Sequence, residues 1–409
     1  MAANPDRLAG KYVGISIWMA MCAASHVYIV VALFSNNIFW LTYYVADYDS
    51  GFVRRGLGGE LIDLIPVENY FTAAHTVLWS SVGAWLIAVG VLMRHILHKG
   101  ARSERRVMLA LLAPVLPFSL SYAVFTPHPE LFGMAALLLF TISLTKLHGH
   151  RCRVLACALY GLTMAVLALL HEAIPLALSL GATLAIIVLV KDATRAQRRL
   201  CAALAVAPGV VSVLVVAVLG RRDIAAKLCA QIPHGRLDNP WAVATTPQRA
   251  LDYMLGRIES SSDYHDWACE NAIPIFDADT SAAVHFVMQF GPARLLGSFS
   301  LGMLFFAATL GLIRVCSAVP LGIFVSDLRS HRVLPMLSGS LLVPLFATGA
   351  DWTRWWILIT FDVAGVYLLA AIDRPEIERR PRARTTKVFG WVIVALAFLP
   401  TGAANNLGG

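Results

Sequence analysis

Apolar runs of about 20 residues recur along the whole of this 409-residue chain, and each run is long enough to cross a lipid bilayer. Composition supports a membrane protein, because only 14% of the residues are charged, against about 25% in an ordinary soluble domain. The sequence therefore predicts an all-α polytopic membrane protein. It excludes a soluble enzyme, a nucleic-acid-binding protein, a disulfide scaffold and a disordered chain.

The spacing of the apolar runs predicts about eleven transmembrane helices. Two places leave alternatives open: the run at 131–146 is short, and the run at 296–325 is either one tilted helix or two helices broken near Pro320. The predicted spans are 12–34, 71–93, 107–125, 131–146, 154–170, 174–190, 202–220, 296–325, 334–349, 355–372 and 388–403. The predicted divisions are a transmembrane module at 1–220, a large outer segment at 221–295 and C-terminal transmembrane helices at 296–409.

Lysine and arginine predict the orientation, because loops on the cytoplasmic side carry an excess of both. With the N-terminus inside, 23 of the 33 such residues fall in cytoplasmic segments, and the short outer segments keep only Arg54, Arg55 and Arg354. The predicted location is the bacterial inner membrane, with membrane lipid around the helices. The positive net charge follows from this bias, so it requires no nucleic-acid partner. The first span lacks a small-residue cleavage site, so no cleavable signal peptide is expected.

The large outer segment is predicted to be an ordered lid or acceptor platform. A helix is expected at 247–259, beginning after Thr246. The run from Asp263 to Asp266 either contacts a sugar or forms a solvated turn. The aromatic residues expected to anchor the segment are Trp241, Tyr253, Tyr264, Trp267, Phe276 and Phe290.

Two of the seven cysteines, Cys229 and Cys269, fall in this outer segment. An oxidising compartment permits a disulfide bond there, and the sequence leaves the bridged and the free state open. The other cysteines fall in spans or at the inner face, where a buried thiol is a common small apolar residue.

Charged groups within a bilayer cost about 2.5–3.5 kcal/mol each, so those that remain are usually functional. Four polar clusters occur, and the predicted topology places all of them on the outer side. Each cluster has a structural alternative: contacts with lipid phosphates, a satisfied turn, a helix cap or an interfacial belt of tryptophans. The clusters are Asp47, Asp49, Arg54 and Arg55 in the first outer loop, His128 and Glu130 in a proline-bounded turn, His171 and Glu172 after the fifth span, and Asp351 and Arg354 at the tenth.

The carboxylates suit proton transfer from an attacking hydroxyl group. We predict that Asp47 or Asp49 is the general base and that Glu130 is a further catalytic carboxylate. His128, His171, Glu172 and Asp351 are predicted to bind substrate.

The arginines suit a lipid-linked phosphate, because a guanidinium group binds phosphate through a planar fork. We predict that Arg54, Arg55 or Arg354 contacts that phosphate and lines an outer-face cavity. A divalent cation such as Mg²⁺ or Mn²⁺ is an alternative means of stabilising the departing phosphate, and the sequence does not decide whether a metal is required.

The layout resembles the GT-C superfamily of membrane glycosyltransferases, which includes oligosaccharyltransferases, protein O-mannosyltransferases and aminoarabinose transferases of lipid A. Its shared seven-span module has a long first outer loop with surface-lying helices. An acidic motif follows the first span, and a second acidic position lies in the short loop between spans three and four. Asp47 and Asp49 match the first acidic position and Glu130 the second, and the resemblance covers residues 12–295. The chain departs from the pattern in having no soluble C-terminal domain.

This resemblance implies a GT-C-like fold and an inverting transferase at the periplasmic face, with a polyprenyl-phosphate-linked sugar as donor and an envelope glycan or lipid as acceptor. The segments GFVRRGL, HE and DWTRW are also similar to those of uncharacterised bacterial membrane proteins that look like enzymes of surface polysaccharide assembly. Two alternatives remain. A polysaccharide polymerase would join polyprenyl-diphosphate-linked repeats, and a transporter would move a lipid or glycan without forming a bond.

Overall fold

The computed structural model describes residues 5–33, 37–101, 103–243 and 245–400. The ends of two predicted spans, at 34 and 401–403, lie outside these ranges. The helices are α1 (Pro5–Leu33), α2 (Ile38–Leu41), α3 (Gly56–Asp63), α4 (Tyr70–His98), α5 (Glu104–Leu112), α6 (Leu120–Phe125), α7 (Glu130–Leu144), α8 (His150–Leu170), α9 (Ala173–Leu189), α10 (Arg195–Leu219), α11 (Ala225–Gln231), α12 (Pro240–Val243), α13 (Pro247–Met254), α14 (Tyr264–Asn271), α15 (Thr280–Gln289), α16 (Gly291–Ser317), α17 (Leu321–Arg329), α18 (Val333–Ser340), α19 (Val343–Thr348), α20 (Trp352–Ala371) and α21 (Ala383–Phe398).

Two short antiparallel strands, β1 (Arg236–Asp238) and β2 (Ser261–Asp263), are the exception to the helical fold in the described residues. Every predicted span falls on a helix. Seven of the described helical segments are long and apolar enough to cross a membrane, whereas α7, α9 and the pair α18–α19 are apolar but shorter. The exact number of membrane crossings therefore stays a prediction.

Proline decides where two of the predicted spans break. α16 ends at Ser317 and α17 begins directly after Pro320, so the run at 296–325 forms two helices. The third span is interrupted between α5 and α6 by a 3₁₀ turn at Ala113–Val115, which contains Pro114. Both breaks follow because proline cannot donate the backbone hydrogen bond that a continuing helix requires.

The core of the bundle is built on α9 and α20. α9 is short, yet all but two of its residues are buried, as expected for a helix that is apolar on every face. α20 packs against both α9 and α16. One contact between them is polar: the Gly181 amide donates to Asp362 Oδ2 at 2.9 Å. Helices α1, α8 and α10 expose apolar side chains on the outside of the bundle, where a membrane protein meets lipid.

Contacts between the connecting segments define two ends of the bundle. At one end, which we call the basic end, Arg106 pairs with Glu378 and Lys99 with Asp373. The other end carries the segments 37–69, 126–129, 171–172, 220–290 and 349–351, and we call it the loop-rich end. All four predicted polar clusters lie there.

The large segment 220–290 packs onto the first loop segment, 37–69, and the two share an apolar core that includes Tyr44, Val53 and Tyr264. The Arg221 amide donates to the Phe52 carbonyl at 2.8 Å. Cys229 and Cys269 form a disulfide bond, so the bridged alternative is confirmed.

The large segment contains short helices and two strands along its described length. α13 begins after its N-cap Thr246, as predicted, but ends at Met254 rather than at residue 259. Of the expected aromatic anchors, Tyr264 and Phe276 are buried, and the side chain of Trp241 lies outside the described part of the structure. Whether the segment acts as a lid stays a prediction.

Candidate functional site

Tyr43 contacts a residue from each of the four predicted polar clusters. Its ring centroid is 4.8 Å from that of His128 and 5.6 Å from that of His171. Its hydroxyl accepts a hydrogen bond from Arg354 Nη1 at 3.2 Å, and Arg55 lies over its ring at 5.9 Å. We call the eight residues joined in this way the Tyr43 network: Tyr43, Arg55, His128, Glu130, His171, Glu172, Asp351 and Arg354.

Arg354 is the centre of the network, and only 6% of it is exposed. It lies in the first turn of α20, and its guanidinium contacts three separate parts of the chain. Nη1 donates to His128 Nδ1 at 3.1 Å and lies 3.9 Å from Glu130 Oε1, while Nη2 lies 3.2 Å from Asp351 Oδ2. The face of the guanidinium covers the Trp355 ring at 4.5 Å. A buried guanidinium held by several partners keeps a fixed position, which suits recognition of a planar anion.

Glu130 is the most unusual member of the network. It is completely buried at the first residue of α7, and neither of its carboxylate oxygens accepts a hydrogen bond within the described residues. Its compensation is electrostatic, from Arg354 and from the N-terminus of its own helix. A buried carboxylate ordinarily accepts several hydrogen bonds, so the two carboxylate oxygens of Glu130 are available to bind a ligand or a proton.

Each histidine of the network accepts a hydrogen bond at Nδ1, so a neutral ring carries its proton on Nε2. A guanidinium cannot accept a hydrogen bond, so His128 Nδ1 accepts from Arg354 and the ring proton lies on Nε2. His171 Nδ1 likewise accepts from the Ala173 amide at 3.2 Å. Burial, reinforced by Arg354, lowers the pKa of His128 to about 3, and burial, reinforced by Arg55, lowers the pKa of His171 to about 4.

Arg55 and Glu172 form the second ion pair of the network. Arg55 Nε donates to Glu172 Oε2 at 2.9 Å and Nη2 donates to Oε1 at 2.8 Å. Burial would raise the pKa of Glu172, but the Arg55 charge outweighs it and lowers that pKa. Arg55 is also one of the few described non-glycine residues with a left-handed backbone, at φ 61°, and it immediately precedes α3. Such strain costs on the order of 1–3 kcal/mol and is found mostly at functional sites.

The predicted arginine pair is divided between two locations. Arg54 donates to the Ile275 carbonyl and lies 5.4 Å from the Phe276 ring centroid. Burial and the neighbouring Arg55 charge lower the pKa of Arg54 to about 10. Arg54 therefore attaches the first loop segment to the large segment, while Arg55 turns into the Tyr43 network.

Asp47 and Asp49 belong to a separate acidic group in the first loop segment. Asp47 Oδ1 accepts from the Asp49 amide at 2.9 Å, and the Tyr48 amide donates to Glu60 Oε1 at the same distance. Burial raises the pKa of Asp47, and the charges of Asp49 and Glu60 act in the same direction. In the described structure, no hydrogen bond or ion pair joins Asp47 or Asp49 to the Tyr43 network.

Two cavities are described, and neither is the arginine-lined cavity that the sequence predicts. A cavity of about 600 Å³ at the loop-rich end lies between the start of α4 and β1, where Phe71, His75 and Leu237 line it. An apolar cavity of about 270 Å³ lies between α1 and α21. Arg55 and Arg354 belong instead to the Tyr43 network, and neither lines a described cavity.

Tyr43 is the residue that sequence reasoning missed. It lies in the YY pair directly after the first span, where aromatic residues are expected from the interfacial belt alone. No feature of the sequence separates Tyr43 from Tyr44, and both rings pack into the apolar core of the loop-rich end. Only the position of α20 beside Tyr43 gives it a polar role.

Comparison with known proteins identifies the family of this chain. Residues 12–397 match the family described as the uncharacterised membrane protein Rv1490. The chain is 58% identical over 403 residues to the uncharacterized protein Rv1490 of Mycobacterium tuberculosis, a match that covers 98% of this chain and 93% of the relative. The uncharacterized protein Mb1527 of Mycobacterium bovis gives the same identity and coverage. No solved structure matches the chain. The matched region includes the whole Tyr43 network, and the chain belongs to the Rv1490 family of membrane proteins.

Proposed function

We propose that this protein is a membrane glycosyltransferase of the GT-C type, which transfers a sugar from a polyprenyl-phosphate donor to a glycan or lipid of the cell envelope. The observation that carries the proposal is the buried Glu130 carboxylate, which accepts no described hydrogen bond and lies beside Arg354 at the loop-rich end. A structural cap would not require a carboxylate there together with two arginines and two neutral histidines. We place this end of the bundle at the periplasmic face of the inner membrane.

Arg55 and Arg354 are the proposed phosphate-binding groups. Each presents a fork of N–H donors, and Tyr43, His128 and His171 supply further neutral donors around them. The network is closed as described, because Glu172 occupies the fork of Arg55. Binding a phosphate therefore requires Arg55 to exchange Glu172 for the donor and the first loop segment to move.

The net charge of the network also affects how it can bind the anionic donor. Two arginines and three carboxylates, with both histidines neutral, leave one net negative charge. An anionic donor is therefore repelled unless a cation accompanies it. Glu130 and Asp351 carry the oxygen ligands that Mg²⁺ and Mn²⁺ prefer, and the vacant oxygens of Glu130 fit that role. A divalent cation bound there would supply Lewis-acid stabilisation of the leaving phosphate.

Asp47 or Asp49 remains the proposed general base. In an inverting displacement, the attacking hydroxyl group and the leaving group lie on opposite faces of the sugar, so the base lies apart from the phosphate-binding groups. The acceptor oxygen forms a bond to the anomeric carbon, the bond from that carbon to the phosphate oxygen breaks, and the carboxylate takes the hydroxyl proton. The raised pKa of Asp47 favours this role over a strongly ion-paired carboxylate.

Transfer from a synthetic polyprenyl-phosphate sugar to envelope acceptors tests the proposal. Glu130→Gln, and at least one of Asp47→Asn and Asp49→Asn, should lower turnover by about 100-fold or more in folded, inserted protein. Glu68→Gln is the matched control, because Glu68 is an exposed carboxylate at the same end. Near-wild-type turnover in all three variants would overturn the site assignment.

The same experiment separates the alternative functions. Transfer of single sugars from the monophosphate donor supports the proposal. Block-wise growth from polyprenyl-diphosphate-linked repeats would instead identify a polymerase, and movement of the lipid across sealed vesicles without a new bond would identify a transporter. Adding Mg²⁺, Mn²⁺ or a chelator to the first assay tests whether a cation is required.

A further inference from the structure

A cluster of histidine and aspartate side chains lies in the large segment, outside the Tyr43 network. It consists of His234, Asp263, His265 and Asp266, whose nearest ligand atoms all lie within 4.8 Å of one another. His234 Nδ1 is 3.1 Å from Asp263 Oδ1, and His265 Nδ1 is 3.0 Å from Asp266 Oδ1. The two imidazole rings stack with their centroids 4.1 Å apart.

The backbone around this group is fixed by contacts that are independent of the four side chains. β1 pairs with β2 so that Arg236 faces Asp263, and the Tyr264 amide donates to the Gly235 carbonyl at 2.7 Å. These bonds bring His234 to the start of α14, although about thirty residues of chain separate them. Tyr264 lies between Asp263 and His265 in the sequence and is completely buried. Its fixed position sets the direction in which these two neighbours point. Ligands on such rigid elements need little further ordering to bind an ion.

We propose that His234, Asp263, His265 and Asp266 form a binding site for a divalent transition-metal ion of the zinc class. Two imidazole nitrogens and two carboxylate oxygens are a ligand set that zinc accepts in tetrahedral geometry. Tetrahedral ligands at zinc distances lie about 3.3 Å apart, so the largest separation in the group would shorten by up to about 1.5 Å on binding. Magnesium and calcium select oxygen ligands, so the two histidines disfavour both ions.

The exposure of the four side chains suits an ion taken from solution. His265 and Asp263 are 24% and 29% exposed, while His234 and Asp266 are 68% and 75% exposed. His265 and Asp263 therefore form the less exposed side of the proposed site, and His234 and Asp266 complete it at the surface. The nearby Cys229 and Cys269 are joined in a disulfide bond and supply no thiolate ligand, although Cys229 Sγ lies 3.9 Å from His265 Nε2. A bound ion would tie the residues just before β1 to the start of α14.

Zinc binding by the full-length chain, purified without a histidine tag and kept oxidised, tests the proposal. Chelator-treated protein is titrated with zinc chloride, and bound zinc is counted by elemental analysis after desalting. Wild-type protein should retain one zinc ion per chain, and a large excess of magnesium should not displace it. Zinc should also raise the melting temperature.

Matched variants make the result specific. His234→Asn and His265→Asn should each lose the bound ion, and Asp266→Asn should weaken binding by about tenfold or more. His285→Asn is the control, because His285 is an exposed histidine of α15 in the same segment. Circular dichroism and the intact disulfide bond report that each variant is folded. Binding of well under one ion by wild-type protein, or equal binding by the His234, His265 and His285 variants, would overturn the proposal.

Discussion

At the residue scale, Arg55 combines two features that are each uncommon. Its backbone is left-handed, and its side chain makes a forked ion pair with Glu172 from another helix connection. The strained backbone is needed because α3 begins at the next residue, and a left-handed turn redirects the chain there. The ion pair supplies part of the stabilisation that offsets the strain.

The Arg55–Glu172 pair should show a measurable coupling free energy. Arg55→Lys loses the fork, and Glu172→Gln loses the charge, so each alone should lower the free energy of unfolding by about 1–3 kcal/mol. Because the two residues contact each other, the double variant should be less destabilised than the sum of the single variants. Thermal unfolding of all four proteins measures the cycle, with Arg249→Lys in exposed α13 as the control. Additive losses would show that the pair contributes nothing.

The neutral histidines predict how stability depends on pH. The pKa of His128 falls from 6.5 to about 3 and that of His171 from 6.5 to about 4 on folding. The unfolded chain therefore binds protons below pH 6.5 that the folded chain rejects, and the free energy of unfolding falls as the pH is lowered from 6.5 towards 4. Above pH 6.5 this contribution is constant.

Melting temperatures between pH 4 and 8 measure this effect. Wild-type protein should melt at progressively lower temperature below pH 6.5, and the double variant His128→Gln, His171→Gln should show a shallower dependence. His285→Asn should keep the wild-type dependence, since His285 is exposed. A flat wild-type profile between pH 6.5 and 4.5 would contradict neutral burial of these rings.

At the element scale, α3 sets the position of the first loop segment through its glycines. A methyl group on Gly59 would overlap the Ala46 carbonyl, and one on Gly58 would lie 3.1 Å from the Tyr44 backbone. The Gly59 amide also donates to that Ala46 carbonyl at 2.9 Å. Close approach of α3 to residues 44–47 is therefore possible only because the GLGG run has no side chains on that face.

Gly59→Ala should therefore destabilise the protein by about 1–3 kcal/mol, because the Ala46 backbone cannot move as a flexible side chain would. Gly90→Ala in α4 is the control, since open space surrounds Gly90. That change should be neutral or stabilising by about 0.5–1 kcal/mol, as alanine is the better helix former. Comparison of the two melting temperatures in the same detergent decides the matter, and equal values would show that α3 packs less closely than described.

At the scale of the whole molecule, the large segment is attached to the first loop segment at several points. Arg221 contacts Ser50 and Phe52, and Arg54 contacts the Ile275 carbonyl, while the disulfide bond joins α11 to α14 within the large segment itself. These contacts hold the large segment against the residues that directly precede Arg55. Movement of the large segment is therefore expected to change access to the Tyr43 network.

Removing the disulfide bond tests how far this internal cross-link holds the large segment together. Cys229→Ser with Cys269→Ser removes a cross-link over 40 residues, which constrains the unfolded chain by about 3–4 kcal/mol. In sealed vesicles of known orientation, protease added on the side of the loop-rich end should cut residues 230–285 slowly in wild-type protein and faster in the double variant. Donor lipid should slow cleavage of wild-type protein if the segment is a lid. Rapid cleavage of wild-type protein, unchanged by donor, would identify a mobile tether instead.

The sequence by itself determined the helical membrane architecture, because apolar length and the scarcity of charge leave a bilayer-spanning chain few alternatives. It located a helix in every predicted span. It also placed the polar clusters at one end, since alternating spans bring every second connection to the same side. The start of α13 after Thr246 also followed from local chemistry, whereas the sequence left open whether the run at 296–325 breaks near Pro320.

Only the tertiary structure decided which of the polar residues meet. Arg54 and Arg55 are adjacent in sequence, yet Arg54 contacts the large segment and Arg55 contacts Glu172. The left-handed backbone of Arg55 turns its side chain away from that of Arg54. Asp47 and Glu130 are both acidic residues at the loop-rich end, yet only Glu130 lies at Arg354. Tyr43 acquired its role from α20, about 300 residues away along the chain. Sequence spacing fixes which end of a bundle a residue reaches, but the packing of helices around one another fixes its neighbours, and that packing depends on side chains throughout the chain.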